Sequence, residues 1–77
     1  MNDIAFYKDS GHGTEEVGRL RADGTWDGDV GLGEDVAYVL LKHGLDKDKW
    51  EERKELIKIY SGAYLWAVEE VVADTAP

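Results

Sequence analysis

The chain has 77 residues, no cysteine, and nine basic residues against seventeen acidic ones, for a net charge of −8. These totals limit it to one small domain that neither disulfides nor a Cys-ligated zinc can brace. The charge argues against direct binding to nucleic-acid phosphates or to an anionic membrane surface, and favours a basic partner, a cation or plain solubility.

Along the chain, Ile4-Ala5-Phe6-Tyr7 is a β-branched and aromatic run that reads as a strand. "KDSGHGTEE" follows, a loop by its Gly, Ser and Asp content. Val17 to Ala22 alternates, with Val17, Arg19 and Arg21 on one side and Gly18, Leu20 and Ala22 on a thinly apolar other side. Asp23-Gly24 is a tight-turn signal, and Thr25-Trp26 begins a return strand. Residues 1–30 are thus expected to form an antiparallel meander of two or three strands, which needs a helix packed on one face.

A helical part is expected over residues 33–73. Glu34 and Asp35 suit the first turn of a helix, and Lys42 and His43 suit its last. Gly44 fits a left-handed C′ position, with Leu45 closing over Leu40. Val36, Ala37, Val39, Leu40 and Leu41 make an apolar face so broad that two sides of this helix are expected to be covered. Asp46 is a natural N-cap for a second helix, with Leu45 and Trp50 placed as a hydrophobic staple. "KWEERKELIKIY" is strongly helix-forming, with Glu51/Lys54 and Glu55/Lys58 at i,i+3 spacing.

At Ser61-Gly62 three readings compete. The helix runs through; it breaks and restarts with Ser61 as N-cap; or "LIKIY" and "AYLWAV" form a second hairpin. The break is preferred, followed by a helix over Ala63–Val72, because Tyr64, Leu65, Val68, Val71 and Val72 suit helical spacing and Glu69-Glu70 can face water. Residues 74–77 are expected to fray. The fold class is α+β: a small N-terminal meander packed against two or three C-terminal helices.

"DGTWDGDVGLGE", residues 23–34, poses the main functional question. Its spacing matches a helix-flanked calcium loop, with Asp23, Thr25, Asp27 and Glu34 as candidate oxygen ligands and Gly28 at the sharp turn. The entering segment "EEVGRLRA" is a poor helix, however, Thr25 is a weak ligand, and no second loop pairs with this one. A hairpin at Asp23-Gly24 followed by a Gly-rich link into the helix is the preferred reading. His12, within "GHG", has no held partner, and His43 is explained as a charge at a helix end. No phosphate-cradling loop and no nucleophile–base pair stands out, so no enzyme is expected.

Five carboxylates and no cation lie between Asp23 and Asp35. Aromatic residues are too many for so small a core to enclose, and Trp26 and Trp66, each beside a base-free acidic stretch, are expected to be surface anchors. The favoured function is a non-enzymatic protein-binding module. It docks Asp23, Trp26, Asp27, Asp29, Glu34, Asp35 and Trp66 on a basic surface of a larger protein, occluding nucleic acid where that surface holds it, and binds no nucleic acid itself. In size, charge and strand–turn–helix layout the chain is similar to small phage-encoded inhibitors such as anti-CRISPR proteins, which implies occlusion of a host complex in the host cytoplasm. Two other classes compete: a calcium-binding module using residues 23–34, and a structural subunit that homodimerises through its helices. No apolar run approaches a membrane span and no signal pattern opens the chain, so a soluble cytoplasmic protein is expected.

Overall fold

The computed structural model describes residues 2–9, 13–44, 48–64 and 66–72. The elements follow in the order β1 (Asn2–Asp9), β2 (Thr14–Leu20), β3 (Trp26–Gly28), α1 (Val30–Lys42), α2 (Trp50–Tyr64) and β4 (Ala67–Val72). The fold is α+β, as the sequence predicts, with one more strand than expected. The expectations placed on His12, Leu45, Asp46 and residues 74–77 lie outside the described residues, but α2 begins at Trp50 and not directly after Asp46, so Trp50 opens the helix where the expected staple put it in the fourth helical position.

All strand pairs are antiparallel, in the order β3-β2-β1-β4. β1 lies inside the sheet: Ile4 and Phe6 point into the helix-covered core, and on its other side Ala5 and Asp3 are also buried. Phe6 pairs with Gly18 but Tyr7 pairs with Glu16, so Val17 is an extra residue in β2. This bulge turns Val17 partly onto the core, away from the side that simple alternation gave it with Arg19. It thickens an apolar face that looked thin in sequence. Buried Asp3 accepts a hydrogen bond from the Ala22 amide at 2.9 Å, tying the end of β2 back to β1.

Helix α1 begins earlier than Glu34. Asp29 is its N-cap, with Oδ2 accepting the Leu32 amide at 2.8 Å, and no acid stands in the first turn. The Gly-rich link of the sequence reading is therefore helix. Its other end is as expected: Lys42 lies in the last turn and Gly44 has φ 65°. Only one side of α1 is covered, through Val36, Val39 and Leu40. The second side, expected to be buried, faces solvent.

Helix α2 runs through Ser61-Gly62 to Tyr64, and residues 67–72 are a strand. The preferred break and third helix are thus corrected, as is a helical part extending to residue 73. Ser61 does not restart a helix; its Oγ bonds back to the Lys58 carbonyl at 2.6 Å, which satisfies the hydroxyl within the helix. Gly62 costs about 1 kcal/mol relative to alanine, small beside the packing of Trp50 and Ile57 along α2. The Trp66 amide donates to the Ser61 carbonyl at 2.8 Å and turns the chain out of the helix. The segment after it completes the free edge of β1, with Val68 opposite Phe6 and Val71 opposite Asp3. Trp50, the first residue of α2, donates its indole N–H to the Asn2 carbonyl at 2.8 Å and locks that helix over the start of β1.

Candidate protein-binding face

Trp26 organises the stretch that the sequence left ambiguous. Its indole lies in a slot between two glycines: a Cβ on Gly18 would overlap the ring, and one on Gly33 would stand 2.6 Å from Nε1. The ring meets Phe6 edge-on at 5.3 Å, and Nε1 donates to the Asp29 carbonyl at 2.9 Å. Within "DGTWDGDVGLGE", Gly33 thus lets α1 close on the tryptophan, and Gly28 lets β3 approach the β2 backbone at Val17 and Gly18.

The same geometry separates the candidate calcium ligands. Asp23 sits in the turn, where Oδ1 accepts the Thr25 amide at 2.9 Å and the Thr25 hydroxyl at 2.7 Å. These bonds hold Asp23 below the usual carboxylate range. Asp27 lies on β3 and meets Arg21 at 3.2 Å. Glu34 is inside α1 rather than at the end of a loop. Among the described residues no three His, Asp or Glu side chains converge on a point where they could hold a cation.

The five carboxylates from Asp23 to Asp35 are all exposed, but they do not form one face. Asp27 points to the side of β3 away from Trp26, onto an open sheet face where charges pair with one another. There Arg19 bonds Glu16 at 2.8 Å, which raises its pKa. On that side too, burial, Glu69 and Glu16 push the Tyr7 phenol up. Asp23 and Asp29 are engaged in the turn and the cap. Glu34 and Asp35, in the second turn of α1, have no cation partner among the described residues.

Trp26 and Trp66 are both half-buried, on Phe6, with Trp66 edge-on at 5.5 Å. Trp66 is further covered by Tyr64, stacked at 4.8 Å. The large apolar side chains that do face out of α1 are Val30, Tyr38 and Leu41, at 72%, 56% and 81% exposure. With Glu34 and Ala37 they follow helical spacing down the side opposite Val36, Val39 and Leu40. The sequence carried the signal: α1 has more apolar positions than one covered side can use. Beside this stripe a cavity of ≈ 390 Å³ is lined by Leu20 and Trp26 of the sheet, Ala37, Leu40 and Leu41 of α1, and Arg53 of α2.

Away from this face, Glu70 of β4 ties the sheet to α2. It accepts from Lys54 at 2.8 Å, from Lys58 at 3.3 Å and from Asn2 at 3.2 Å. The two lysines and Asn2 bring its pKa from the ordinary 4.5 down to about 2. Buried Lys54 also meets Glu51 at 3.0 Å, the i,i+3 pair read from sequence. His43, which caps α1, shares a 2.8 Å hydrogen bond with the Tyr60 hydroxyl and joins the two helices.

Comparison with protein-family models, with curated proteins and with solved structures found no match. Among the described residues no helix is long and apolar enough to cross a membrane.

Proposed function

We propose that the protein is a non-catalytic binding module that docks the outer side of α1 on a basic surface of a larger protein and so occludes that surface. Where the covered surface serves nucleic acid, docking blocks it by competition, as phage-encoded inhibitors such as anti-CRISPR proteins do. A cytoplasmic site of action goes with this reading.

The observation that carries it is the combination on α1 of an exposed apolar stripe, Val30, Tyr38 and Leu41, with two carboxylates, Glu34 and Asp35, that have no cation partner among the described residues. Large apolar side chains exposed together on one helix side mark an interaction surface more strongly than the same residues scattered. Tyrosine is among the residues that dominate interface energetics. Acidic rims steer a basic partner and set its orientation.

The test is affinity capture from the native source with mass spectrometry, comparing the wild-type chain with a Glu34→Lys, Asp35→Lys double variant. The reading expects a basic protein bound by the wild type and lost from the variant, with unchanged circular dichroism. The same proteins retained by both chains would refute it. Asp29→Lys is unsuitable for this purpose, because it removes the helix cap along with the charge.

A further inference from the structure

We infer that the cavity between the β2–β3 turn and α1 is an anchor site for one bulky apolar side chain of a partner segment whose neighbouring residues are Lys or Arg. The inference rests on the proposed docking of α1 and names the chemistry that this face recognises.

The cavity's ≈ 390 Å³ is within the range of about 300–1,000 Å³ typical of ligand pockets, and so is large enough to admit one bulky side chain. Its floor is firm: Leu20 and Leu40 belong to the buried core, and Trp26 is fixed by its glycine slot and its hydrogen bond. Its rim is exposed: Ala37 and Leu41 line the cavity and also belong to the outward stripe of α1. A side chain entering from a segment laid along α1 would therefore bury apolar surface on both the rim and the floor.

Charge decides between occupants. Glu34 lies one helical turn before Ala37 and Tyr38, and Asp23 directly precedes Gly24, which lines the cavity at the turn. Glu34 thus stands beside the rim of the opening on α1, where it favours lysine or arginine next to the inserted side chain. Arg53 also lines the cavity, on the α2 wall. An amphipathic anion laid along α1 would meet Glu34 as repulsion. A second copy of this chain would bring −8 against −8.

The experiment is an NMR titration of the ¹⁵N-labelled chain at low salt with two synthetic peptides. One carries a phenylalanine between two pairs of lysines; the other carries alanine in its place. We expect the phenylalanine peptide to bind about tenfold more tightly, since a buried aromatic side chain is worth at least one decade in affinity. It should shift the amides of Gly24, Gly33, Ala37 and Leu41. Ala37→Trp, at an exposed position, should fill the cavity and erase that advantage while leaving the lysine-dependent binding. Equal affinity for the two peptides would overturn the anchor site and leave the acidic docking face standing. So would an advantage that survives in folded Ala37→Trp. Neither peptide shifting α1 would overturn both.

Discussion

Trp26 owes its place to two residues without side chains. Gly18 and Gly33 let the indole lie against β2 and α1 at once, and the slot leaves no room for a methyl group. Gly18→Ala should therefore destabilise the protein by about 1–3 kcal/mol, as overpacking does, measured as a lowered urea midpoint. Gly62 is the contrasting case, because a Cβ there meets nothing within 4 Å and the position is helical. Gly62→Ala should stabilise by up to about 1 kcal/mol in the same measurement. Destabilisation by Gly62→Ala would show that α2 does not continue through Ser61-Gly62. The acids divide in the same way. Asp29→Ala should cost about 1 kcal/mol as a lost N-cap, whereas Glu34→Ala should leave the melting temperature near the wild-type value.

At the scale of elements, the joint between α2 and β4 depends on Glu70. Its folded-state pKa of about 2 lies below the ordinary 4.5. Its contribution is therefore complete above pH 4.5 and is lost as pH falls toward 2. The stability gap between the wild type and Glu70→Gln should be constant near neutral pH and close across that window, as followed by urea unfolding. A gap that does not change with pH would mean that Lys54 and Lys58 do not hold the carboxylate. This joint was also the least legible part of the sequence. Val68, Val71 and Val72 fit a helix as well as a strand, and only the free edge of β1 decides between them. Local pattern says nothing about that edge. The first strand, the turn at Asp23-Gly24 and the C-terminal end of α1 were legible because each depends on residues within a few positions. The start of α1 was missed because its glycines looked like a loop. For Gly33 the reason lies in contact with Trp26, which is nonlocal in chemistry though near in sequence. The acidic residues of the candidate face were legible as exposed charges, but which of them the fold itself uses could be read only from Thr25, Arg21 and the Leu32 amide.

For the whole molecule, net charge and exposed apolar surface point in the same direction. A chain at −8 repels its own copies, yet α1 keeps Tyr38 and Leu41 in water beside Glu34. Ile59 is also exposed, at 71%, but it lies one turn after Glu55 and two after Glu52 on the exposed side of α2, and a single exposed apolar residue on a helix is ordinary. The central claim is that carboxylates on α1 bring this stripe to a positively charged protein. Its most direct test is the dissociation constant of the captured partner as a function of salt. Affinity should fall by about tenfold or more between roughly 50 mM and 500 mM salt, with most of that dependence removed in the Glu34→Lys, Asp35→Lys variant. A wild-type affinity that stays level across the whole range would contradict the claim.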